Sequence, residues 1–173
     1  LVTFSLGFLF IIVILLIIFS AFFSSAEIGV MSINRYRLRH LVKKKHKAAT
    51  RINNMLSKPD RLLSVILIGN TVCNIVASMA ATLIGQSLYG EKGVLAATFL
   101  LTLAVLIISE MIPKTFAALY PQKVAFLSSL PIDFLQRLFS PLVNLITYVA
   151  NKILRLFGLD TKKKKKDPLS GDE

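Results

Sequence analysis

The sequence predicts an all-α integral membrane protein with three transmembrane helices, a cytoplasmic helical hairpin and amphipathic juxtamembrane helices, N-terminus outside and C-terminus inside. Composition is the first reason: 54% of the 173 residues are hydrophobic, there is no Trp, and the mean hydropathy is +0.67, the profile of a chain whose main solvent is lipid. Length is the second, because three apolar runs, about residues 2–24, 62–88 and 93–112, approach or exceed the roughly 20 residues that a spanning helix needs. The third is the distribution of a net charge of +12. Lys and Arg cluster beside the apolar runs, where the positive-inside rule and anionic lipid account for them, so nucleic acid is not the expected partner.

The first run lacks a basic region before it and is too long for a signal-peptide core, so it reads as a retained spanning helix in a multi-pass protein of the plasma (inner) membrane. After it, residues 32–57 carry a dense cluster of basic side chains, among them Arg35, Arg37, Arg39, Lys43, Lys44, Lys45 and Lys47, and belong in the cytoplasm. Asn34 is placed to cap a helix beginning near Arg35, and Ala48, Ile52 and Leu56 recur at helical spacing, which together predict a helical hairpin. Its basic face suits anionic lipid, or simply fixes topology.

Only a tight Tyr-Gly-Glu-Lys turn separates the second run from the third, and it carries almost no charge bias, so it belongs outside. Residues 121–159 are apolar but interrupted by Pro131, Pro141, Asp133, Arg137, Lys152 and Arg155. They read as interfacial helices broken at the prolines, with basic groups snorkelling to water. A fourth crossing would carry the five-lysine run of residues 161–173 outside, against the charge rule. That basic stretch reads as a linker following a membrane domain of residues 1–160.

Polar groups inside the apolar runs are the candidates for function. Glu110 ends LLTLAVLIISEMIPKT, and Gly69, Asn70 and Asn74 interrupt LLSVILIGNTVCNIVAS. Ser20, Ser24 and Ser25 lie at the corresponding depth of the first run, and a shared depth argues for one site, because polar groups in lipid face one another or a cavity. Gly69 and the kinking Pro113 are each expected to loosen the helical ladder and free carbonyl oxygens. Hydroxyl, amide, carboxylate and carbonyl oxygens are hard donors that suit Mg²⁺ or Ca²⁺, whereas zinc or copper calls for thiolate or imidazole. The simpler readings are interhelical glue for Asn74, pairing with Lys114 for Glu110, and a surface pair for Glu27. Cys73 reads as a small buried hydrophobe. The row Ala77, Ala81 and Gly85 places small residues four apart, which predicts close helix packing, either in a homodimer or against the chain's own helices. No nucleophile triad, metalloprotease motif or phosphate-cradling loop points to an enzyme.

As strings, FFSSAEIGVMSINRYRLRHL, KPDRLLSVILIGNTVCNIVAS and ISEMIPKTFAALYP resemble the transmembrane domain, often called DUF21, of the CorB/CorC and cyclin M (CNNM) family. The resemblance covers nearly the whole chain, with the motifs in order. It implies a dimeric magnesium transporter, an exporter using the inward Na⁺ gradient, with Mg²⁺ as the transported ion and Na⁺ as coupling ion. It also implies a cytosolic CBS-pair module that binds ATP, for which residues 161–173 would be the connection and which this chain does not contain. The family's site positions fall on Ser24, Gly69, Asn70, Asn74 and Glu110, with Pro113 as the kink; many relatives have Ser-Gly at Ser24-Ser25, leaving open which serine faces the ion. A different class of function uses the same oxygens: a Mg²⁺-sensing membrane scaffold that regulates another transporter.

Overall fold

The computed structural model describes residues 5–156, so the five-lysine linker, the first residues of the first run and the end of the interfacial region lie outside the described residues. Those described form helices, in the order α1 (Leu6–Met31), α2 (Arg35–Lys43), α3 (Lys47–Leu56), α4 (Pro59–Ala104), a π-helical turn (Val105–Met111), α5 (Ile112–Leu119), α6 (Pro121–Leu138) and α7 (Ser140–Leu156). Two continuous helical stretches, Leu6–Met31 and Pro59–Leu119, are long and apolar enough to cross a membrane. The second is folded back on itself. Tyr89 (φ −139°, ψ 17°) and Gly90 (φ 61°, ψ −142°) leave the helical region, and Gly90 takes a positive φ that side chains disfavour. Two antiparallel arms result, residues 59–88 and 91–119. The first is about 45 Å long at 1.5 Å per residue.

The arms can close this tightly because Gly85 and Gly93 meet backbone to backbone; a Cβ on either would land on the other's carbonyl. The row Ala77, Ala81 and Gly85 is thereby consumed within the chain. Ala77 and Ala81 are buried with Leu101 against Val13, Leu16, Ile17 and Val105. Of the two readings of this row, the structure shows packing within the chain, of the first arm on α1 and the return arm, a choice that small residues alone could not make.

One expectation is corrected at Gly69. The first arm is regular through this position, with its non-helical residues confined to Tyr89 and Gly90, so no carbonyl is freed there. What Gly69 supplies is space: a methyl group at this position would run into the Phe23 ring of α1. A lone glycine in a helix costs only about 1 kcal/mol relative to alanine and does not by itself open the ladder.

The main core lies at one end of the bundle, where Phe23, Ala26 and Val30 of α1 meet Leu38 of α2, Ala49 and Ile52 of α3, Leu62 and Ile66 of the first arm, and Ala125 and Ile132 of α6. Local signals build this end. Asn34 Oδ1 accepts the Arg37 N–H at 3.0 Å and caps α2; His46 Nδ1 accepts the Ala49 N–H at 3.3 Å, caps α3, and stacks on Phe126 with ring centroids 5.1 Å apart. Pro59 opens the first arm at a position where its missing N–H costs nothing.

The expected break at Pro131 does not occur, since α6 runs through it and the chain turns only near Phe139. Proline removes the donor to the carbonyl four residues back, that of Leu127, whose residue is 81% exposed. Burial of Ala125, Ser128, Ser129 and Ile132 on the opposite side holds the helix in place.

Beyond this core the helices present apolar side chains outward. Ile11, Ile14, Leu15 and Ile18 of α1, Leu67, Ile75 and Met79 of the first arm, and Leu95, Phe99, Leu100 and Ile108 of the return arm are all exposed. Soluble monomers rarely expose contiguous apolar surface on this scale. The belt is what a lipid-facing helical bundle requires.

Candidate functional site

Three elements bring polar side chains together just above the core. On α1, Ser20, Ser24 and Glu27 lie one turn apart on one face. The first arm contributes Asn70 and Asn74, again one turn apart, and the return arm contributes Glu110 and Lys114.

Asn70 is the junction. Its Nδ2 donates to Glu110 Oε1 at 3.0 Å, and because a carboxylate only accepts, that bond fixes which way the amide faces. Asn70 Oδ1 accordingly turns to α1, 2.5 Å from Ser20 Oγ, which is also 2.9 Å from Asn74 Oδ1. One hydroxyl proton is thus shared between two amide oxygens. Glu110 Oε2 holds the Lys114 ammonium at 2.7 Å, and Glu27 Oε2 approaches the same ammonium at 3.6 Å. The Ser24 hydroxyl is fully buried, interacts with the Glu110 carboxylate and closes no hydrogen bond. Ser25, its neighbour, is spent on its own helix, donating to the Phe22 carbonyl at 2.9 Å.

The backbone around Glu110 is not α-helical. Val105–Met111 is a π-helical turn, and Pro113, two residues beyond, supplies no N–H to the ladder. Such turns widen a helix by one residue and re-aim side chains. Within the turn, Ser109 is fully buried and donates to the Ile17 carbonyl at 3.1 Å, tying the return arm to α1 beside the polar cluster. Between the arms, a cleft of about 430 Å³ reaches Asn74 and Glu110 past Ser78, Thr102 and Leu106.

The structure therefore gathers Ser24, Asn70, Asn74 and Glu110, leaves Ser25 outside the cluster, and gives Gly69 a packing role next to it. Ser20 and Ser109 join through their partners; a serine in an apolar run carries no signal of which backbone or amide it will meet. The set is rich in acceptors. Two amide oxygens share one proton, the buried Ser24 hydroxyl meets the Glu110 carboxylate without closing a hydrogen bond, and two carboxylates face a single ammonium. Hard oxygen donors of this kind could hold a hard cation without need of imidazole or thiolate.

Residues 10–173 match the family model described as the cyclin M transmembrane N-terminal domain. The chain is 49% identical over 142 residues to the UPF0053 inner membrane protein YfjD of Escherichia coli (strain K12), covering 82% of this chain and 33% of that protein. It is 35% identical over 140 residues to a chloroplastic DUF21 domain-containing protein of Arabidopsis thaliana, covering 81% of this chain and 21% of the relative. A more distant relative, 27% identical over 165 residues with 86% and 38% covered, is the polyamine export protein of Haemophilus influenzae. The chain thus spans about a third or less of the first two.

Proposed function

The chain belongs to the cyclin M transmembrane N-terminal domain family, and on that premise we propose that it is the membrane domain of a cation transporter that exports Mg²⁺, coupled to Na⁺ entry. One observation carries the reading: the acceptor-rich cluster of Ser24, Asn70, Asn74 and Glu110, at one depth of an apolar bundle. Ionisable groups inside spanning segments are costly and mark ion pathways. The apolar belt supports three crossings by α1 and the two arms. The basic α2–α3 segment and the linker then lie in the cytoplasm by the positive-inside rule, with the turn at Tyr89 and Gly90 outside. Arg61 marks the inner face, and Asn70 lies about 13 Å above it along the arm.

In this reading Mg²⁺ enters from the cytoplasm and is held by the Glu110 carboxylate, the Asn70 and Asn74 amide oxygens and the Ser24 hydroxyl. The π-helical turn beside Pro113 supplies a main-chain oxygen by loosening the ladder around Glu110. A homodimer with a cytosolic nucleotide-binding module and anionic lipid on the basic hairpin completes the proposed assembly.

A second cargo class is favoured by one specific contact. Glu110 and Glu27 already hold a primary ammonium, that of Lys114, and the relative from Haemophilus influenzae is named a polyamine export protein. An alkylammonium cargo would present the same group to the same carboxylates.

The deciding experiment is flux from liposomes containing the full-length protein, with and without an opposing Na⁺ gradient, for Mg²⁺ and for spermidine, beside Glu110→Ala. Sodium-dependent Mg²⁺ flux that the variant loses is expected. Flux of spermidine alone selects the second cargo, and Mg²⁺ binding without any flux selects a sensor.

A further inference from the structure

The described site is already occupied by a cation of the protein's own. Lys114 Nζ stands 2.7 Å from Glu110 and 3.6 Å from Glu27, on the return arm one turn beyond Glu110 and bridging to α1. We propose that Lys114 is a tethered counter-cation that fills the site between transport events and must be displaced by the incoming divalent ion. The inference rests on the cation-transport reading and names how that site is regulated.

Charge and exposure argue for displacement rather than a permanent brace. Two carboxylates facing one ammonium keep a net negative charge, so the pair is incompletely neutralised. A divalent ion neutralises both, and Glu27 becomes a second carboxylate for it, within the one or two that magnesium sites use. The Lys114 side chain is 37% exposed, and its partners Glu27 and Glu110 are 38% and 31% exposed. The ammonium is therefore not sealed in the core and can leave on its flexible stem, and a partly exposed pair is weaker than a buried one. While no divalent ion is bound, a tethered ammonium spares the two neighbouring carboxylates from standing unpaired beside one another. The same ammonium then sets a threshold, because Mg²⁺ binds only in competition with it.

The test measures Mg²⁺ binding by calorimetry on the full-length protein in nanodiscs without nucleotide, for wild type, Lys114→Met, Lys114→Arg and Glu110→Gln. Losing the competitor in Lys114→Met is expected to tighten Mg²⁺ about tenfold, whereas Lys114→Arg keeps the charge and stays near wild type. An independent readout is the rate at which an amine-reactive reagent modifies Lys114, followed by mass spectrometry. Saturating Mg²⁺ is expected to raise that rate several-fold by ejecting the ammonium, which a merely structural lysine would not do. Equal or weaker binding by Lys114→Met, or a labelling rate that Mg²⁺ leaves unchanged, overturns the tethered counter-cation and leaves the transport reading standing. Wild-type affinity in Glu110→Gln overturns the transport reading itself, and no Mg²⁺ binding in any variant overturns both.

Discussion

Asn70 and Glu110 are forty residues apart in sequence and joined by a 3.0 Å hydrogen bond from amide to carboxylate. That bond orients the amide, and so decides that an oxygen rather than an NH₂ group faces Ser20 and α1. It makes the two arms and α1 a single polar unit. Replacing either partner therefore disturbs oxygens on all three elements.

The two adjacent serines are expected to behave differently. Ser24→Ala removes a buried hydroxyl that faces the Glu110 carboxylate and closes no hydrogen bond of its own, and should weaken Mg²⁺ binding about tenfold, or about 1.4 kcal/mol. Ser25→Ala removes only a bond to the Phe22 carbonyl and should stay within about twofold. Calorimetric titration of both variants checks this, and a larger effect at Ser25 would sink the assignment of Ser24.

Gly69→Ala drives a methyl group into the Phe23 ring. Overpacking of this kind costs about 1–3 kcal/mol, read as a lower unfolding temperature of the detergent-purified protein. Combining it with Phe23→Leu should recover part of the loss. Were Gly69→Ala as stable as wild type, the packing role would be wrong.

At the turn, Gly93→Val places side-chain atoms on the Gly85 carbonyl. Backbone yields less than a ring, so the loss should exceed that of Gly69→Ala and reach on the order of 3 kcal/mol. Limited proteolysis should then cut near Tyr89 at temperatures where wild type resists; an unchanged digestion pattern counts against the close approach of the arms.

Pro113→Ala restores an N–H to the ladder beside the π-helical turn at Val105–Met111. If the turn relaxes to α-helix, side chains on one side of it rotate by about 100° relative to the other. Glu110 would then leave Asn70, and Mg²⁺ binding should fall more than about tenfold with helix content by circular dichroism unchanged. Undiminished binding would show that the π-helical turn does not aim Glu110.

Helical class was legible because apolar runs near spanning length and charge clusters between them are coarse signals that survive without partners. The cap at Asn34 was legible too, since it needs only local sequence. Equal depth was enough to pick out Asn70, Asn74 and Glu110 as neighbours. What could not be read were relations between elements. Gly69 looks the same in sequence whether it opens a ladder or admits a ring, and Phe23 decides which. The row of Ala77, Ala81 and Gly85 announces close packing but not with whom, and the return arm at Gly93 claimed it. Pro131 breaks a helix in isolation; the buried face of α6 overrides it. Ser20 and Ser109 are silent until an amide or a carbonyl stands opposite.

The turn at Tyr89 and Gly90 leaves no slack between the arms. Sliding one along the other by even a single helical turn would pull Gly85 away from Gly93 and bring side chains against backbone, so the hairpin is geared to move as one lever. The Ser109 bond to the Ile17 carbonyl fastens the return arm of that lever to α1, so a shift of either arm is felt at once by the serines of α1.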